Sequence, residues 1–162
     1  MTEEQIQSAI HAAIDGIKKE PRPLDFGNVH ERSIAHRLAV HMEPYFHKEW
    51  DVDCEYDREE MIKKELMGIK KCLESRSTDF ILPDIIVHHR REEGRSHNLL
   101  VIEIKKGKSE DICDRKKLEL LTKKGGHYCY QFGLYINVDC NKFTCTWYRD
   151  GNKYRVSIDD VS

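Results

Sequence analysis

Residues Pro83 to Lys106, PDIIVHHRREEGRSHNLLVIEIKK, decide how this chain is read. Asp84-Ile-Ile-Val-His-His89 is short and β-branched, Arg90 to His97 is polar and holds Gly94, and Asn98 to Lys105 is apolar again. Runs of this kind, bounded by proline on one side and a glycine-containing polar loop on the other, predict two strands and a turn. A loop closed symmetrically about Glu93 and Gly94 sets Asp84 opposite Glu103. Directly opposed residues point to the same side of a sheet, with Cβ atoms about 4.5–5.5 Å apart. Residues two apart share that side, so Asp84, Glu103 and Lys105 are expected to meet near the strand ends.

Two facing carboxylates raise each other's pKa unless positive charge lies between them. Lys105 supplies part of that charge. A hard divalent cation with oxygen ligands, Mg²⁺ above all, supplies more. The competing reading is an ordinary charged sheet margin in which Lys105 pairs with a carboxylate.

Pro83-Asp84, followed by Glu103-Ile104-Lys105 closing an apolar strand, resembles the PD-(D/E)xK signature of restriction-endonuclease-like nucleases. With its flanking elements the resemblance covers Val29 to Val138. It implies an α/β fold, a three-layer αβα core around a central mixed sheet. It also implies a metal-dependent nuclease that hydrolyses phosphodiester bonds of DNA, by endo- or exonucleolytic cleavage, with Mg²⁺ as cofactor and Mn²⁺ as a substitute. Asp84 and Glu103 would hold the metal together with the Ile104 carbonyl and Glu31. Lys105 would orient the attacking water or stabilise the transition state. In the family a Glu on the first long helix often joins the metal site, and Glu31 matches by position and by face. A first-turn Glu favoured by the helix dipole, at about 0.3–1 kcal/mol, is the alternative account of Glu31.

At 162 residues the chain suits one domain with enough length to bury a core. Its expected parts are an N-terminal helix over residues 1–20, a core over 28–138 and a C-terminal hairpin over 143–158. No apolar run approaches the roughly 20 residues needed to span a bilayer. The N-terminus, MTEEQIQSAIHAA, is acidic and lacks the basic and apolar regions of a signal peptide, so a cytoplasmic protein is expected. The 6 cysteines hold no C-x-x-C pair and are read as reduced thiols rather than a zinc site. A net charge of −2 argues against a general nucleic-acid-coating protein. Local positive charge is densest at Arg90, Arg91 and Arg95 in the turn and at Lys105, Lys106, Lys108, Arg115, Lys116, Lys117, Lys123 and Lys124 after it. Of these, Arg90, Arg91, Arg95, Lys106 and Lys108 are the candidate phosphate contacts, which position a nucleic acid without reading its sequence.

The remaining elements follow in order. Thr2 to Lys19 predicts a helix with a capping box from Thr2 and Gln5 and a stripe of Ile6, Ile10, Ile14 and Ile17. Val29 to Phe46 predicts a second, with Ala35, Leu38 and Met42 on its apolar face; four residues before Ala35 stands Glu31. Trp50 to Tyr56 alternates as a half-exposed strand whose acids, Asp51, Asp53 and Glu55, are read as solvated. Met61 to Leu73 has helical spacing, and Ser109 to Thr122 predicts a helix ended by Lys123-Lys124-Gly125-Gly126. Asp114 and Lys117, three apart on it, read as a surface ion pair. His127 to Val138 alternates strictly and predicts a strand. Asp150-Gly151 between Phe143–Tyr148 and Lys153–Ile158 is a hairpin signal.

The alternative to an enzyme is a non-catalytic module of the same fold that binds nucleic acid or a protein partner. One site per chain cuts one strand, so double-strand cleavage would call for a homodimer.

Overall fold

A computed structural model describes residues 1–22, 24–54, 82–107, 112–140 and 142–159. The expected helix over Met61 to Leu73, together with Glu55 and Lys108, lies outside the described residues. Three helices and six strands are described: α1 (Glu3–Lys18), α2 (Glu31–Phe46), β1 (Asp51–Cys54), β2 (Ile85–His88), β3 (Asn98–Lys106), α3 (Ile112–Thr122), β4 (Phe132–Asp139), β5 (Lys142–Arg149) and β6 (Asn152–Asp159). The strands form one mixed sheet in chain order, β1 to β6. All neighbours are antiparallel except β3 and β4, which run parallel and are joined through α3. A parallel pair needs such a crossover, because a tight turn cannot return the chain to the same end.

α1 begins as its sequence dictates. Thr2 Oγ1 accepts from the Gln5 backbone, and Gln5 Oε1 accepts from the Thr2 backbone, so two amides without helical partners are satisfied at once. Its isoleucine stripe, Ile6, Ile10, Ile14 and Ile17, is wholly buried. These residues and Ile34, Leu38 and Met42 of α2 pack on one face of the sheet, against Ile85, Val87, Leu100, Ile102, Ile104, Leu134, Ile136 and Trp147. Leu118 and Leu121 of α3 pack on the other face with Ile86, Val101, Tyr135 and Tyr148. Strands β2 and β3 are therefore covered on both sides, which explains why neither strand alternates apolar with polar.

The central hairpin keeps the expected register. Ile85 faces Ile102, Ile86 faces Val101 and Val87 faces Leu100, after which the register slips so that His88 faces Asn98. β4 starts later than its alternation predicts, at Phe132 rather than His127. Cys129 has φ 45°, and the Tyr130 amide donates to the Leu121 carbonyl rather than to a strand neighbour. Tyr128 and Tyr130 are buried all the same, so their alternation reported packing, not strand. The C-terminal hairpin continues the main sheet. Its turn residues Asp150 and Gly151 have φ 51° and 80°, the left-handed pair that a two-residue turn matched to strand twist requires.

Two further expectations are corrected. Cys54, Cys129, Cys140 and Cys145 are free thiols, but Cys113 is disulfide-bonded. The acids of β1 are not a solvated row: Asp53 accepts from Arg90 at 2.9 and 2.6 Å and lies 2.9 Å from His88, and Asp51 accepts from the Arg90 backbone at 3.0 Å. Among the described residues no helix is long and apolar enough to cross a membrane.

Candidate active site

Asp84 stands one residue before β2, where the register of the hairpin carries it against Glu103. Its Oδ2 accepts from the Ile104 backbone amide at 2.7 Å, which pins the start of β2 to the end of β3. Glu103 shares a face with Val101 and lies beside Tyr135 on β4, so it points under α3 and is only 2% exposed. Burial raises the pKa of both carboxyls, that of Glu103 strongly, and the neighbouring acids add to this. For Asp84 those acids are Asp114 and Glu31, and for Glu103 they are Asp84 and Asp114.

Glu31 arrives from the opposite side of the sheet, on the first turn of α2. Its Oε1 accepts from the Lys106 backbone amide at 2.9 Å and lies 3.6 Å from Lys105 Nζ. Lys106 completes the joint by donating its Nζ to the carbonyls of Gly27 and Val29, both at 2.9 Å. The approach to α2 is therefore tied to the last turn of β3 by three hydrogen bonds. Gly107 then ends the strand at φ 95°, a conformation that a residue with Cβ rarely adopts, and its amide donates to the Val138 carbonyl at 2.9 Å.

Lys117 is the residue that pairwise reading of the sequence misplaced. It is not on the surface: Lys117 is 3% exposed and Asp114 5%. Lys117 Nζ lies 2.7 Å from Glu103 Oε2, 3.3 Å from the Leu82 carbonyl and 3.9 Å from Asp114 Oδ1. Arg115 of the same helix lies over the ring of Tyr135, the strand neighbour of Glu103. The signal for both buried charges was present. Stepping back four residues from Leu118 and from Leu121 lands on Asp114 and Lys117, the same step that leads from Ala35 to Glu31.

The turn arginines are elsewhere. They sit at the other end of the hairpin from Asp84 and Glu103, four strand residues away at about 3.3 Å each. Arg90 holds Asp51 and Asp53, and Arg95 pairs with Asp150 at 2.8 Å. Arg91 is exposed at φ 67°. Of the candidate phosphate contacts that are described, only Lys106 stands beside the carboxylates.

Among the described residues no three His, Cys, Asp or Glu side chains converge into a metal-ligand arrangement. The donors nonetheless suit a hard divalent cation. Glu103 Oε1 is buried without any hydrogen-bond partner. The Lys117 ammonium acts on both Asp84 and Glu103, and Glu31 lies 3.6 Å from the Lys105 ammonium. Oxygen-only donors at a partly buried position are what Mg²⁺ takes.

Comparison with protein-family models, with characterised proteins and with solved structures finds no match to this chain.

Proposed function

We propose that this protein is a metal-dependent nuclease of the PD-(D/E)xK, restriction-endonuclease-like class, hydrolysing phosphodiester bonds of DNA. The observation that carries the reading is the meeting of Asp84 with Glu103 at the end of the β2–β3 hairpin, two residues before Lys105. The order α2, β1, β2, β3, α3, β4, with β4 parallel to β3, supports the same class. Asp84 and Glu103 would hold Mg²⁺ or Mn²⁺, with the Ile104 carbonyl and Glu31 completing the set. A divalent ion bound there supplies a lowered pKa for a bound water and neutralises charge on the scissile phosphate. Lys105 places a positive charge at the margin of the cluster, where it stabilises charge that develops on the phosphate in the transition state. Glu31, 3.6 Å from the Lys105 ammonium, restricts where that charge can go. Lys106 and Arg91 are the contacts for flanking phosphates.

A second reading has one observation in its favour. Lys117 already supplies a cation to Glu103, so a non-catalytic module of the same fold has less need of a metal. Cleavage of supercoiled plasmid and of labelled single-stranded and branched DNA in Mg²⁺, Mn²⁺ or EDTA separates the two. Glu103→Gln is the control, because its amide oxygen can still accept from the Lys117 ammonium, whereas Glu103→Ala leaves no acceptor at that position. Metal-dependent cutting that disappears in the control supports the nuclease. Absence of cutting together with absence of Mn²⁺ binding in calorimetry leaves the binding module.

A further inference from the structure

We propose that Lys117 is the built-in counter-ion of this site: its ammonium holds Glu103 in place and yields to a divalent cation when one binds Glu103 and Asp84. The inference rests on the metal-site reading above and concerns what occupies that site without metal.

A lysine is almost never fully buried unless it is paired. Its neighbours Lys116, Lys123 and Lys124 are all exposed, as solvated lysines are. Lys117 instead points into the sheet and gives its ammonium to Glu103, with the Leu82 carbonyl and Asp114 further off. Two packed apolar side chains at 103 and 117 would serve stability as well or better, since desolvation of two charges offsets much of their attraction. The pair is therefore better explained by what Glu103 does when it is charged.

Two details say that the ammonium is a partial substitute. It engages only Oε2 and leaves Oε1 of the same carboxylate without a hydrogen bond. It also brings one positive charge to Glu103 and Asp84, where a divalent ion would bring two. A metal that takes both oxygens of Glu103 needs the place the ammonium holds at Oε2, and Asp114, 3.9 Å from Nζ, is at hand to keep the displaced ammonium. Lys117 is thus a positioning residue. It holds the Glu103 carboxyl in place, and it sets the threshold of cation concentration at which the site fills.

The test compares wild type, Lys117→Met, Glu103→Gln and the double variant by calorimetry and thermal denaturation in EDTA and in Mn²⁺. Lys117→Met is expected to melt below wild type in EDTA and to gain from Mn²⁺ a rise in Tm roughly double that of wild type, because the metal then replaces a missing charge. The Mn²⁺ response is expected to vanish in both Glu103→Gln proteins. An equal or smaller Mn²⁺ response in Lys117→Met, still lost with Glu103→Gln, overturns the counter-ion role and leaves the metal site standing. No Mn²⁺ response in any protein overturns both. Should Lys117→Met fail to fold, wild type carries the test through the ¹H–¹⁵N resonance of its buried Lys117 ammonium. That resonance is expected to shift on titration with Mg²⁺, and an unmoved resonance at calorimetric saturation overturns the proposal.

Discussion

Glu103 Oε2 and Lys117 Nζ stand 2.7 Å apart, one on β3 and the other on α3, with each side chain 3% exposed. Removing one partner of such a pair leaves an uncompensated charge in the interior, at a cost of about 3–5 kcal/mol. Lys117→Met is expected to lose that much in metal-free urea denaturation. Adding Glu103→Gln removes the stranded charge, so the double variant should be more stable than the sum of the two single losses predicts. Strict additivity would show that the two groups are not coupled.

Lys105 is expected to behave differently. Its side chain is 24% exposed and its ion pair with Glu31 spans 3.6 Å, so the pair contributes at most about 1 kcal/mol. Lys105→Met should therefore melt close to wild type while the single-turnover cleavage rate falls about 10²–10³-fold. A large loss of Tm with unchanged cleavage would make Lys105 a structural residue instead.

The hairpin turn should show an acid limb of its own. Hydrogen bonds from Arg90, and then from His88, hold the Asp53 carboxyl below its ordinary value of 3.8. A depressed pKa means that the unfolded chain binds the proton first, so stability from Asp53 is present above the ordinary value and is lost as pH falls through the folded one. Wild type should exceed Asp53→Asn in Tm at pH 7, and the gap should close as the solution is taken below about pH 4. A constant gap across that range would contradict the assignment.

Arg90 and Arg95 carry positive charge that the fold has already used, on Asp51 and Asp53 and on Asp150. Neutralising either should leave the slope of log Kd against log salt for DNA unchanged, since that slope counts phosphates neutralised. Arg91→Ala and Lys106→Ala are the substitutions expected to flatten it, each by about one unit or less. Lys106→Ala should also loosen the joint at Gly27 and Val29, which thermal denaturation would report.

How much of this was legible depends on how local the cause is. The meeting of Asp84 and Glu103 could be read because strand alternation and a symmetric turn fix a register over a few residues. The slip between Val87 and His88 could not, since it arises in the conformation of the loop rather than in its length. The tyrosines at 128 and 130 misled because burial and strand leave the same alternating pattern, and a single left-handed residue at Cys129 separates the two. Lys117 was lost for another reason. A lysine three residues from an aspartate was weighed as a pair on an isolated helix, although the face both share with Leu118 and Leu121 was the face that had to meet the sheet. Charge alone never named the partners of Arg90 and Arg95, which lie far off in the chain.

The parallel placement of β3 and β4 has a consequence for the order in which this chain becomes itself. Asp84 and Glu103 belong to a hairpin that closes from nearby residues, and its pairing uses no residue of α3. The crossover that docks α3 and pairs β4 with β3 draws on distant contacts, and those form slowly. The face of β3 that carries Glu103 is the one α3 covers. Only when α3 lands does the carboxylate enter the interior, and the lysine that accompanies it arrives in the same step. A chain halted before Ile112 would lack both the wall of α3 and the Lys117 ammonium beside Glu103. Docking of α3, then, is also what buries Glu103 and gives it its cation.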